Sequence, residues 1–442
     1  MNPKARAALA RAHQHLHDGG VLSAEIELSR LVEQQPDCVD AWMLLAELAA
    51  ARDDEARANA CMAQALAHAP GEPAIGVQQA HLYLSGGKIA EAVELLCALL
   101  RQHPKHFSGW LLLGQAFELA GRRPLAVRAW YQGLHHGQAA GQLMNMASTP
   151  PAFREVIEQI VSLVNDHQYA PVREGLERMR AHFGAAEMKR LEHAVAIYLG
   201  ERQEAPASPH QRPKFLYFPG LPEGPYHDPA LHPWSARLLD AYDDISAEAL
   251  AVLHADSGLE EFLEFAPGQS RDGYLGGNGS KPSWDAFFFY RHGVRYDANH
   301  ARCPRTSAVL DSIERCEVAG QAPEICFSVL QPGTHILPHH GVTNTRLVMH
   351  LPLLVPPDCA LNVMGGGKHH WRERELMMFD DTFQHEAWNR SDRQRVILLM
   401  DCWNPHLTEA ERIATKHVVE LISEAENFLP TDLARAAHDI RN

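Results

Sequence analysis

The sequence predicts a multidomain α + β chain: an N-terminal α-helical solenoid followed by a sandwich- or barrel-like sheet region. Three observations carry this. Large and small residues recur every 34 positions between about residue 5 and residue 138. A stretch rich in proline, serine and alanine, EAPASPHQRPKF (Glu204 to Phe215), then breaks the pattern. After it come short apolar runs split by turns, including DAFFFYRHGVRY, EICFSVLQPG, TRLVMHLPLLVP and RVILLMDCW. At 442 residues the chain exceeds one ordinary core.

The repeat is read from coincident spacings. Pro36, Pro70 and Pro104 stand 34 residues apart, as do Ala24, Ala58, Ala92 and Ala126. Leu28, Met62, Leu96 and Trp130 keep the same period as large apolar positions, and Trp42 and Trp110 lie two periods apart with Gly76 between. Small residues let two antiparallel helices approach, large ones fill the gap, and proline ends the second helix. The unit resembles the tetratricopeptide pattern. Such arrays hold peptides or protein elements, so a polypeptide partner is expected there. Helices continue less regularly through VREGLERMRAHF and AAEMKRLEHAVAIYLGER, and the tail EAERIATKHVVELISEAENFL returns to helix. The expected division is 1–203 helical repeats, 204–213 linker, 214–412 sheet domain and 413–442 helical tail.

Composition narrows the function classes. A formal net charge of −15 argues against a broad hold on phosphates, so no nucleic acid partner is expected. The eight cysteines are scattered with no CxxC pair, which suits buried reduced thiols. No run approaches 18 apolar residues, and the first twenty residues lack a signal-peptide core. A cytoplasmic location without stable membrane association is expected.

The chemistry concentrates in HILPHHGVTNTRLVMH (His335 to His350) and FDDTFQHEAWNRSDRQRVILLM, whose His385 follows His339 by forty-six residues. Non-haem iron oxygenases use two histidines and usually one carboxylate. Glycine, Gly341, stands two residues after His339, where His-x-Asp would place that carboxylate. Three readings fit these residues. His339 and His385 act with a distant carboxylate such as Asp380 or Asp381; a third histidine completes a zinc site; or the histidines only hydrogen-bond. Arg346, Val348 and His350 alternate along one apparent strand and share a face. Ser328 lies on an earlier strand, and Arg395 begins a later one; an arginine beside a serine makes a carboxylate clamp.

The run FSVLQPGTHILPHHGVTNTRLVMHLPLLVP, followed by FDDTFQHEAWNRSDRQRVILLMDCWNPHLT, resembles the aspartyl/asparaginyl β-hydroxylase family. ARCPRT (Ala301 to Thr306) is similar too, and the resemblance covers roughly Lys214 to Glu409. It implies a double-stranded β-helix (jelly-roll, cupin-like) oxygenase domain that uses Fe(II), 2-oxoglutarate and O2. It also implies metal ligation by His339 and His385, with Gly341 in place of the carboxylate ligand. Arg395 with Ser328 would hold the distal carboxylate of 2-oxoglutarate, and His350 would lie near its chelating end. Arg346 joins this cofactor-binding set; His339, His385 and Arg395 form the catalytic set. Animal members carry a second arginine where this chain has Val348. The implied function is hydroxylation of an aspartyl or asparaginyl side chain in a polypeptide. The alternatives are hydroxylation of a lipid acyl chain or small molecule, or a non-catalytic repeat-based scaffold.

Overall fold

A computed structural model describes residues 3–145, 147–149, 154–255, 258–263, 273–278, 282–428 and 430–441. It divides into two compact units, residues 1–173 with 422–442, and residues 174–421.

The first unit is built of helix pairs. These are Pro3–His17 with Val21–Gln34, Val39–Ala50 with Glu55–His68, Pro73–Ser85 with Ile89–Gln102, and Phe107–Leu119 with Arg123–Ala139. The periodic alanines Ala24, Ala58, Ala92 and Ala126 are all buried, as are Leu28, Met62, Leu96 and Trp130. The two periodic tryptophans share one device. Trp42 Nε1 donates to Pro36 O and Trp110 Nε1 to Pro104 O, each at 2.8 Å. Each indole thereby satisfies a carbonyl in the turn between successive pairs. Gly76 stands at the equivalent intermediate position because a Cβ there would come within 2.6 Å of Leu99 Cδ1.

The chain's last helix, Pro430–Arg441, belongs to this unit. Just before it, the Phe428 ring packs on Trp110 and Phe117, with centroids 5.4 and 6.1 Å away. Arg128 donates to Asp432 Oδ2 at 3.0 Å and lies over the Phe428 ring.

The second unit holds the strands: β1 Tyr226–His227, β2 Glu260–Glu261, β3 Leu275–Gly277, β4 Trp284–Arg291, β5 Val294–Arg295, β6 Ile325–Leu330, β7 Thr334–His339, β8 Arg346–Leu354, β9 Cys359–Val363, β10 Gly367–His369, β11 Met377–Phe379, β12 His385–Asn389 and β13 Arg395–Trp403. They form an eight-stranded sheet ordered β1-β11-β8-β13-β6-β4-β2, with β5 on β4, and a five-stranded sheet ordered β10-β9-β12-β7-β3. The expected closed double-stranded β-helix, jelly-roll or cupin-like barrel is therefore corrected. Both sheets are open. Each ends in two- or three-residue strands, and among the described residues no ladder joins one sheet to the other. Short edges of this kind, such as the exposed Glu260–Glu261 pair, stop further pairing. A barrel would need the hydrogen-bond register to continue around.

The central strands of the larger sheet are buried on both faces. Leu347, Met349, Leu351, Leu398 and Met400 pack with Trp234, Tyr242 and Ile245 on one side. Val348, Ile397 and Leu399 pack with Ile336, Leu361 and Phe379 on the other. Two-sided burial explains the unbroken apolar runs of these strands. All eight cysteines are free and buried. Among the described residues no helix is long and apolar enough to cross a membrane.

Candidate functional site

The two sheets enclose a cavity of about 220 Å³. Its lining includes Ser328, His339, Arg346, His350, His385 and Arg395, all six residues singled out from the sequence. The alternation of β8 and β13 places Arg346, His350 and Arg395 there. Arg346, Val348 and His350 share one face of β8, and Arg395, Ile397, Leu399 and Asp401 share one face of β13.

His339 ends β7 and His385 begins β12, and the two are direct cross-strand partners. Their ring centroids lie 4.1 Å apart. His339 Nδ1 contacts Leu337 O at 2.8 Å, and His385 Nδ1 contacts Phe383 O at 2.9 Å. A carbonyl only accepts, so each Nδ1 carries the proton and Nε2 is left as the lone-pair nitrogen. Burial drives both imidazoles toward the neutral form, and His385, further opposed by His339, is pushed down to about 3. Two neutral imidazoles with free lone pairs on adjacent strands are a donor pair suited to a transition metal. Among the described residues no group of three or more histidine, cysteine or acidic side chains forms a metal cluster.

His335 and His340 of the same segment face elsewhere. His335 Nε2 meets Glu386 Oε2 at 2.7 Å, with its ring edge-on to Trp388. His340 Nδ1 donates to Thr382 O at 3.0 Å.

Arg395 is fully buried, and burial pulls it down to about 10. Its Nη1 reaches Ser328 Oγ at 3.5 Å, Trp371 lies over the guanidinium at 4.8 Å, and Nε has no partner. Among the described residues no carboxylate pairs with it. Ser328 Oγ also accepts from Trp284 Nε1 at 2.8 Å. His350 is held neutral by burial and receives Trp371 Nε1 at 3.2 Å on Nδ1, leaving a buried Nε2 without a partner. An unpaired buried guanidinium beside a hydroxyl fits an anionic ligand, since a buried charge without a counter-charge is costly.

Residues 240–405 match the family described as Aspartyl/Asparaginyl beta-hydroxylase, and residues 77–141 match the tetratricopeptide repeat. "Aspartate beta-hydroxylase domain-containing protein 1" of Mus musculus is 30% identical over 265 residues, 58% of this chain and 70% of that relative. The chain belongs to the aspartyl/asparaginyl β-hydroxylase family.

Two further relatives match the same part of the chain. "Aspartate beta-hydroxylase domain-containing protein 2" of Rattus norvegicus is 32% identical over 46% of this chain and 58% of its own length. "Ornithine lipid ester-linked acyl 2-hydroxylase" of Rhizobium tropici is 32% identical over 43% of this chain and 64% of its own. The match thus spans less than two thirds of either relative. Among solved structures, the crystal structure of MamA protein aligns with 33% of this chain and 79% of its own at 18% identity, with a TM-score of 0.27, too low to bear on function.

In this β-hydroxylase-family chain the site also contains residues that motif reading passed over or left open. Asp381 lines the cavity and Asp380 does not. A Cβ on Gly341 would lie 2.1 Å from the Asp381 carboxyl, so glycine is required where that carboxyl sits. Burial pushes Asp381 up to about 7, opposed by Arg346. Arg346 itself is bound to Asp401 Oδ2 at 2.9 Å. Asp401 Oδ2 also accepts from Glu324 N, and Glu324 joins the cavity wall. Spacing could not reveal these contacts, because they bring together strands far apart in the chain. Trp371, which orients both Arg395 and His350, lies outside any strand and carries no periodic signal.

Proposed function

We propose that this protein is an Fe(II)- and 2-oxoglutarate-dependent hydroxylase, a dioxygenase whose catalytic domain comprises residues 214–412. The observation that carries this is the convergence, in one cavity, of the His339/His385 pair and the uncompensated Arg395 beside Ser328. His339 and His385 would hold the metal through Nε2. Arg395 and Ser328 would bind the distal carboxylate of 2-oxoglutarate, with His350 and Arg346 on the same wall. When bound, the iron and its cosubstrate supply the oxidising chemistry that converts a C–H bond to C–OH with O2. The residues bind, orient and keep water out. Leu337 O and Phe383 O hold the imidazole tautomers. Trp371 covers the guanidinium.

The family's name points to an aspartyl or asparaginyl side chain of a polypeptide, which the helical repeats would help to hold. A second reading has its own support. Val348 is apolar and buried in the wall, and Arg346, the nearby cation, is already paired with Asp401. With Ile336, Leu361, Ile397 and Leu399 beside it, that wall favours an uncharged hydrocarbon segment such as an acyl chain.

Calorimetry with Co(II) and 2-oxoglutarate tests the cofactor assignment. His339→Ala and His385→Ala should each abolish tight Co(II) binding. Arg395→Ala should weaken 2-oxoglutarate by about 30- to several-thousand-fold, the equivalent of ~2–5 kcal/mol for a broken buried charge pair. Full metal occupancy in His385→Ala would refute the metal site. Incubating extracts with the iron-loaded protein and searching for products heavier by one oxygen separates peptide from acyl substrates. No oxygenated product of either class would favour the scaffold reading.

A further inference from the structure

Both candidate ligands sit where the β7–β12 ladder gives out. His339 is the last residue of β7, His385 is the first of β12, and the β12–β7 register shifts between His385 and Ala387. On its other side β12 pairs β9 in unbroken register, His385 opposite Val363 and Met364 N donating to Gln384 O at 2.9 Å, so it is on the β7 side that the turn before His385 needs a further tie. The stretch that reads as a linker in the sequence supplies that tie.

Residues 210–218 run across both ligand-bearing segments. His210 O accepts from Gln384 N at 2.9 Å, and Arg212 N donates to Thr382 O at 2.8 Å. Past Pro213, which has no N–H to offer, the chain turns to the other segment. Lys214 N donates to Gly341 O at 3.1 Å, and Phe215 N and Leu216 N donate to Val342 O at 2.9 and 3.1 Å. Phe218 and Asn344 close the strap with a reciprocal pair at 2.8 and 2.9 Å. The two segments also touch directly, Gly341 N to Asp381 O at 2.7 Å.

Among these contacts one is specific to a side chain at the turn itself. Gln211 is 3% exposed, and its Nε2 donates to Asp380 Oδ2 at 3.0 Å and to Thr382 Oγ1 at 3.1 Å. The other oxygen of Asp380 accepts from Thr382 N and Oγ1 at 2.9 and 2.5 Å. Gln211 thus locks the carboxylate that shapes the turn leading to His385.

We infer that Gln211 is a positioning residue for the metal site: it ties the 380–384 turn to the 210–218 strap and so keeps His385 in register with His339. The inference rests on reading those histidines as metal ligands.

The test is Co(II) titration of the full chain, joined with amide hydrogen exchange. Gln211→Ala leaves a buried carboxylate short of a donor and should weaken Co(II) binding by about 10- to 100-fold. Amides 382–384 should exchange faster. Gln211→Glu sets a carboxylate against a carboxylate and should do the same. Combining Gln211→Glu with Asp380→Asn restores donor facing acceptor, and should return affinity to within about threefold of the parent and slow the exchange again. Unchanged Co(II) affinity in Gln211→Ala would overturn the role. So would a double variant no better than Gln211→Glu alone, because simple loss of folding stability is not rescued by an exchange of polarity. His385→Ala separates the two levels. If it still binds Co(II), the metal reading fails and the inference falls with it. If it loses Co(II) while Gln211→Ala keeps it, only the positioning role falls.

Discussion

Glu324 shows how one buried group can set a pH dependence. Burial pushes its carboxyl up to about 7 from the usual 4.5, partly offset by His292 N, which donates to it at 2.7 Å. In the unfolded chain the group ionises near 4.5, while in the folded chain it stays protonated until about 7. Folding stability therefore falls as pH rises across that window, and the full cost is present above it. Glu324→Gln removes the ionisable group. Chemical denaturation should find the variant more stable than the parent by about 1–3 kcal/mol at pH 8, with a smaller difference at pH 5. An equal difference at both values would mean that Glu324 ionises normally. The same scale explains Gly341. Its hydrogen makes room for the Asp381 carboxyl, a contact that no local pattern around His339 discloses.

At the scale of elements, helix pairs depend on the small residues between them. Gly114 lies in the helix Phe107–Leu119, and a Cβ there would come 2.3 Å from Trp130 Cδ1 on the helix Arg123–Ala139. Gly114→Ala would gain about 1 kcal/mol of helix propensity. Wedging a buried, rigid indole costs ~1–3 kcal/mol, so the net effect should be a loss of up to about 2 kcal/mol in denaturant unfolding. A more stable variant would show that the helices can part without penalty. In the sheet unit, elements rather than single residues assemble the cavity: β7 and β12 bring the histidines, β6 and β13 the Ser328–Arg395 clamp, and β8 Arg346 and His350. All six residues were legible as candidates because strand alternation and a family motif are both local in sequence. Asp401 and Trp371 were not, because their partners lie 55 and 21 residues away along the chain.

At the scale of the whole molecule, the two units draw on different parts of the chain. The helical unit takes residues 422–442 back from the far end. Phe428 fills a position against Trp110 and Phe117 that the repeats leave uncovered. Phe428→Ala should destabilise that unit by about 3–5 kcal/mol, the range for truncating a buried phenylalanine. Co(II) affinity at the histidine pair should be unchanged, since those ligands belong to the other unit. A parallel loss of both would show the two units to be energetically coupled.

By itself the sequence determined what is periodic or contiguous. The helix pairs follow from a 34-residue recurrence, since every contact within a pair lies inside one repeat. The strands follow from runs of matching length, and the His339 and His385 segments from their own residues. Tertiary structure alone decided how these pieces close. A succession of strand-length runs does not say which edges will pair, so an expected closed barrel gave way to two open sheets with short ends. A proline-rich stretch has the composition of a linker whether it hangs free or lies across a site. Here the backbone groups of residues 210–218 found their partners on the two ligand-bearing turns. The last helix has an apolar face that any groove could cover, and the groove it covers was built by residues three hundred positions earlier. In each case the deciding energy is a contact between distant residues, a term that local pattern does not contain.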